Sequence, residues 1–237
     1  MTQRRNRDGL TWSVVGLLLA LLATGCGPMI IPHPHPTVSI TANQHLEPGQ
    51  QRVSTSHARM SRELYPNFIG GTNVARWDQG RRWGNLGLSA GQLNPDTFSP
   101  TVGVSAGRTL LRGDAGSIGV TAQLGGSFVQ DTNTTEGMLQ YSSISPGAGV
   151  RGVVYPSPWL GLSGNLTGSY SHVHLWGEGR GPDAFWVESG MGILLGKPDA
   201  LQGGLAWQTM SFLSSDDNAI MHVLQATVSM SWQRPER

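Results

Sequence analysis

Ser117 to Phe128 reads SIGVTAQLGGSF, and it sorts cleanly into two faces. Ile118, Val120, Ala122, Leu124 and Phe128 share one parity; Ser117, Gly119, Thr121, Gln123, Gly125 and Ser127 share the other. A period of two belongs to a β-strand, because successive side chains point to opposite sides of the sheet. The pattern recurs on both sides of this stretch. Leu160, Leu162, Leu166 and Tyr170 oppose Ser163, Asn165, Thr167, Ser169 and Ser171. Leu224, Ala226, Val228, Met230 and Trp232 oppose Gln225, Thr227, Ser229 and Ser231. Weaker alternation runs through 83–91, 101–111, 147–155, 184–196 and 201–212, which makes eight segments. Each is about nine to thirteen residues long, close to what a tilted strand needs to cross a bilayer.

The connections divide into two classes. Short links sit around Arg112-Gly113-Asp114, Pro156-Ser157-Pro158 and Gly196-Lys197-Pro198-Asp199. Longer links run from Gln92 to Pro100, Gln130 to Pro146, His174 to Asp183 and Leu213 to Ile220, and the two classes alternate. That order fits a membrane barrel with tight periplasmic turns and longer outer loops. The aromatics then fall into two bands. Trp83, Tyr155, Trp159 and Trp232 come at the short-turn ends; Phe98, Phe128, Tyr170, Phe185 and Phe212 come at the other; Trp207 is the exception. Aromatic rings favour both interfaces of a bilayer.

Composition supports the same class. Charged residues are 13% and glycine accounts for 33 of 237 positions. A soluble domain carries about 25% charge, and glycine is costly inside helices. The net charge of +1 gives no electrostatic reason to bind nucleic acid. Three places strain the pattern: Arg108 shares the apolar parity of Val102 and Val104, 201–212 mixes its faces, and Pro146 cannot donate to a ladder.

The first 81 residues read differently. Arg4, Arg5 and Arg7 precede an uncharged stretch, Gly9 to Ala23, which has the form of a secretory signal. It ends in Leu22-Ala23-Thr24-Gly25-Cys26, which resembles the lipobox of bacterial lipoproteins, with Ala23 where Leu is usual. The resemblance implies cleavage before Cys26 and attachment of acyl chains, palmitate among them, to this single cysteine. Gly27 in place of Asp permits transfer to the outer membrane. Ile31-Pro32-His33-Pro34-His35-Pro36 is extended, because each proline restrains itself and its predecessor. Thr37 to Ala42 alternates weakly, and Val53, His57, Met60 and Leu64 share helical spacing. The expected organisation is a signal peptide at 1–25, a Pro/His tether and periplasmic segment at 26–81, a barrel at 82–232 and a short tail at 233–237. The fold class is all-β: an antiparallel up-and-down transmembrane barrel of eight strands, or ten if a hairpin across Glu47-Pro48-Gly49 adds two.

Sites are few. His33 and His35 make an incomplete metal set, so no metal or cofactor is expected. Ser171 beside His172 suggests a hydrolase, as in lipid-modifying outer-membrane enzymes, but neighbouring strand residues diverge and no acidic third member is evident. His174 shares the outward face of His172 near the outer rim. Arg151 and Glu188 have inward parity near opposite ends and are not expected to pair. Glu178, Asp216 and Asp217 read as solvated loop charges.

The whole resembles small eight-stranded outer-membrane barrels with a lipoprotein signal in front. This implies a non-enzymatic, lipid-anchored component of the outer membrane that meets membrane lipid and envelope proteins through its loops or tail. The alternatives are a soluble, lipid-tethered β-barrel holding a small ligand, and a lipid-modifying enzyme.

Overall fold

The computed structural model describes residues 44–62, 65–92, 98–134, 137–176, 179–180, 183–213 and 218–233. Cys26, His33, His35, Glu178, Asp216 and Asp217 lie outside the described residues. The strands are β1 (Gln50–Arg62), β2 (Tyr65–Arg81), β3 (Gly84–Gln92), β4 (Pro100–Gly113), β5 (Gly116–Thr134), β6 (Gly137–Ser157), β7 (Leu160–Leu175), β8 (Gly179–Arg180), β9 (Ala184–Gly196), β10 (Leu201–Leu213) and β11 (Asn218–Gln233).

Every barrel strand pairs antiparallel with its neighbours in the chain, and β1 closes the ring on β11 from Gln50↔Gln233 to Arg62↔Met221. The two residues of β8 pair only with the end of β7, so β7 passes directly to β9 and ten strands form the cylinder. Ten, the alternative to the favoured eight, is therefore the count. The added pair is β1–β2, joined across residues 63–64, and not a hairpin across Glu47-Pro48-Gly49. Residues 50–81, read above as part of the tether and periplasmic segment 26–81, instead supply those two strands, and the helical spacing of Val53, His57 and Met60 belongs to β1. The reason is low contrast. β1 and β2 carry Thr55, Asn73 and Ala75 on their exposed face, so it is scarcely more apolar than the face holding Ser54, Ser56 and Arg76.

Elsewhere the alternation is resolved as read. Leu224 is 48% exposed and Gln225 beside it 0%, and the same inversion holds along β5 and β7. The outside carries Val104, Val120, Leu124, Val150, Leu166 and Ile193; the inside carries serine, threonine, glutamine and glycine. The mixed faces of 201–212 arise because Ala206 and Met210 point inward into apolar clusters.

The strained positions settle individually. A register shift in β4 falls between Thr109 and Leu111, beyond Arg108, so Arg108 keeps its exposed outward place and Leu110 and Leu111 both come to the surface. Pro146 lies within β6 and does not delay its start. It pairs with Leu124 of β5, while the β6–β7 ladder skips from Ile144↔His172 to Gly147↔Ser169. Ser145 and Ser171 bridge that gap through their hydroxyls at 2.8 Å. The stretch from Gln130 to Pro146 is thus largely strand, and β5 and β6, at 19 and 21 residues, run well past the length that crosses a bilayer.

Closure by β1 and β2 makes a direct expectation. A chain cut back to residue 82 keeps eight strands but exposes the edges of β3 and β11. It should fail to give a compact, protease-resistant species on refolding into detergent, whereas a chain beginning at residue 44 should succeed. Equal refolding of the two would show that eight strands suffice.

Candidate functional site

The lumen is layered by the side chains each strand turns inward. At the end away from the tight turns lie two apolar clusters: Ala58, Ala184, Trp186, Met210, Met221 and Val223, and Val129, Tyr141 and Val173. Below them is a polar belt. Gln208 donates to Gln225 at 3.0 Å, Asn165 donates to Glu188 at 3.1 Å, and Ser127 bonds Ser143 at 2.6 Å. Gln123 Oε1, Ser54 Oγ and Thr227 Oγ1 are buried without a protein hydrogen-bond partner. Buried polar groups need partners, and in a polar lumen water is the one that fits.

The turn end holds the charges. Asp78 of β2 accepts from Arg76 Nε at 2.9 and 3.0 Å and from Nη2 at 2.6 Å. Arg76 also donates to Ser105 Oγ at 2.7 Å, and Arg52 Nη2 approaches Asp78 at 3.6 Å. All three charged groups are buried. None was expected from the sequence, because they lie on the two low-contrast strands.

Gln44 to Pro48 lies across part of this mouth, against the wall. Gln44 and Leu46 are buried. Arg52 donates to the Gln44 amide oxygen at 2.6 Å, Asn85 donates to the Gln44 carbonyl at 3.2 Å, and the Gln44 amide reaches Gln202. His45 meets the Thr109 hydroxyl at 2.7 Å, and Glu47 forms an ion pair with Arg112. The chain then turns sharply into β1. Pro48 presets the turn, Gly49 takes φ +85°, and the Gln50 N–H donates to the Glu47 carbonyl at 2.9 Å. Gly80 of β2 has no side chain where the Glu47 carbonyl passes; a Cβ there would collide with it.

Burial lowers the pKa of His45, helped by the nearby Arg112 charge. The Arg112 hydrogen bond holds Glu47 below the usual 4.5 of a glutamate. A depressed carboxylate contributes its contact fully above its unfolded value and loses it as pH falls through the folded one.

The expected site residues separate. Arg151 and Glu188 are both buried in the lumen, as their parity indicated, but they do not sit near opposite ends. Asn165, the register partner of Arg151, is the residue that donates to Glu188. Ser171 faces inward and is fully buried, while His172 is on the outer face, so the two diverge. An acidic partner for His172 does exist: Asp183 Oδ1 lies 2.6 Å from its Nδ1. That pair is separated from the Ser171 hydroxyl by the wall of the sheet and makes no triad. His174 is likewise exposed on the outer face. Tyr155 points inward beside Val153, Leu194 and Ala206 rather than joining the aromatic band, whereas Phe98, Phe128 and Trp176 form an edge-to-face group at the outer end. Among the described residues no group of three His, Cys, Asp or Glu is placed to hold a metal.

No protein-family model matches the chain, and no curated protein matches its sequence. Solved structures with similar strand arrangements include three outer-membrane proteins. The N-terminal barrel domain of Pseudomonas aeruginosa OprF shares 12% identity over 79% of this chain and 100% of that one, with a TM-score of 0.40. An outer-membrane channel from Pseudomonas putida F1 shares 10% over 84% and 100%, at 0.47. Neisserial surface protein A shares 11% over 76% and 95%, at 0.40. The closure of the present barrel rests on its own strand registers.

The tail contacts predict that Gly80→Ala displaces Gln44–Glu47 and leaves the wall intact. In planar bilayers this variant should conduct more than the parent, while its folded gel mobility is unchanged. Parent-like conductance would mean that the segment does not seal the mouth. Lowering pH through the depressed Glu47 pKa should loosen the seat in the parent, and Glu47→Gln should remove that response.

Proposed function

We propose that this chain is a lipid-anchored, integral outer-membrane β-barrel that serves the envelope as a non-enzymatic anchoring and interaction component, not as an open diffusion pore. The observation that carries the reading is the inversion of burial around a closed sheet. A soluble barrel keeps its apolar residues inside. Here Leu166, Val150 and Ile193 stand outside, while Gln225, Gln208 and Ser145 are buried within. A continuous apolar exterior of this extent is foreign to soluble monomers and suited to lipid. Backbone groups within a bilayer need protein partners, and a closed ladder supplies them.

The lumen supports the rest of the proposal. Apolar clusters fill the outer end, side-chain networks occupy the middle, and the tail sits across the turn-end mouth. By the rule that tight turns are periplasmic, the long arms of β5 and β6 extend outward beyond the membrane and offer the surface for partners. Cys26 acylation fits a tail that ends at the inner mouth.

Two measurements test this. After Cys26→Ala the protein should remain in the membrane fraction and keep heat-modifiable gel migration; release to the soluble fraction would overturn the barrel reading. Leu166→Arg should cost about 2–4 kcal/mol in urea unfolding from lipid vesicles. An exposed leucine of a soluble protein would tolerate the same change within about 0.5 kcal/mol.

A further inference from the structure

The outer wall is not uniform around the ring. Ala75, Ala90, Ala122 and Leu166 each lie six residues from the turn-end terminus of their strand, at Arg81, Gly84, Gly116 and Leu160 respectively. At the usual strand tilt that is roughly 15 Å above the turns, near the middle of an apolar band about 25 Å tall. Around this depth β5 and β7 turn Val120, Leu124, Leu162 and Leu166 outward. β1 to β3 turn out Thr55, Asn73, Ala75 and Ala90 instead, all of them exposed. The registers set Thr55 beside Ala75 and Ala75 beside Ala90, with Val228 and Val102 bounding the row. These small side chains leave a recess of about 440 Å³ in the wall, lined by Thr55, Asn73, Ala75, Ala90 and Gln92.

Asn73 decides what fits there. His57, its register partner on β1, has Nδ1 2.8 Å from Asn73 Oδ1. That bond takes one lone pair of the amide oxygen. The second lone pair and the Nδ2 hydrogens have no partner among the described residues. Acyl chains can fill a recess but cannot satisfy an amide, and water is scarce at this depth. A protein partner meets both needs, because small residues permit close approach within a membrane and polar side chains then hydrogen-bond across the contact. The group this amide suits is its own kind: a carboxamide with a donor and an acceptor to spare is the complement of an identical one. Copies inserted from the same side share one orientation, so the twofold axis of a pair runs along the membrane normal. An axis through β2 sets Asn73 against Asn73 and Ala75 against Ala75. It also sets β1 of each copy, with Thr55, against β3 of the other, with Ala90.

We propose that the β1–β3 wall is the interface of a homodimer within the membrane, in which the recesses of two copies face one another and their Asn73 amides pair across the twofold axis. The inference rests on the reading of this wall as lipid-facing and holds whether or not Cys26 is acylated.

Disulfide trapping in isolated membranes is the test. On oxidation, Ala75→Cys should give a cross-linked species of twice the monomer mass. Ala122→Cys, the same exchange at the same depth on β5, should not, and neither should the parent with Cys26 alone. Asn73→Leu, which suits lipid better, should keep heat-modifiable gel migration and weaken dimerisation in detergent by about tenfold, read by analytical ultracentrifugation. No trapped dimer through Ala75→Cys, equal trapping through Ala122→Cys, a cross-link to a different protein, or an undiminished dimer in Asn73→Leu would each overturn the proposal. Heat-modifiable migration and retention in the membrane, followed in the same samples, separate that failure from failure of the lipid-facing reading, whose loss would remove the dimer with it.

Discussion

The pairing of β1 with β11 is the constraint on which the remaining structure depends. A sheet with two open edges leaves rows of unmet N–H and C=O groups, and in lipid those groups have no other partner. Closing the ring removes both edges at once. It also fixes two faces for every strand, because a slip of one residue would send each inward side chain out. The registers from Gln50↔Gln233 to Arg62↔Met221 therefore do more than join two strands. They decide that Arg52 faces the lumen and that Val53 does not.

Ten strands enclose more space than eight, and barrel width grows with strand number. The inward residues of β3 to β7 are mostly glycine, serine and threonine, which leave room along that side of the wall. The space is taken by long side chains reaching across and by the tail rising from below. The exchange is reciprocal and local. Gly87 lies under Arg76, Gly107 under Arg151, and Gly80 beside the Glu47 carbonyl. Small residues at these points are complements of particular neighbours, and a uniform small lining would not need them there. The opposite side of the ring solves the same problem with bulk, placing Trp186, Met210 and Met221 against one another.

How much of this could be read from the sequence depended on contrast between faces. β5, β7 and β11 set leucine and valine against serine and glutamine, and their orientation was legible residue by residue. β1 and β2 set threonine, asparagine and alanine against serine and arginine, so parity carried little signal and two strands were missed. With them went Arg52, Arg76 and Asp78, the most concentrated charge in the lumen. Tyr155 was misplaced for a related reason: at a strand end, a ring suits either an interface or an inward cluster, and only its neighbours Leu194 and Ala206 decide. The divergence of Ser171 and His172 followed from strand geometry alone. Asp183 beside His172 did not, since that contact depends on how the chain returns from β8 to β9.

The tail joins these arguments. Gln50 begins β1 immediately after the Glu47–Gln50 turn, so the C-terminal end of the closing segment is fixed to the wall by the same ladder that closes the barrel. With Cys26 acylated, the other end is tied to the membrane. The seventeen residues from 27 to 43 could span at most about 60 Å when extended. That is ample to run from the mouth to the nearby leaflet, and too short for the segment to leave the barrel's surroundings. A segment held at both ends has a high effective concentration at its seat, so modest contacts suffice to keep it there. Those contacts are modest: one ion pair exposed to solvent, one buried leucine and a few hydrogen bonds. On the proposed acylation, such a double attachment would keep a short segment at the mouth without extensive packing. Under that proposal the lipid would bear on the lumen as well as on attachment to the membrane.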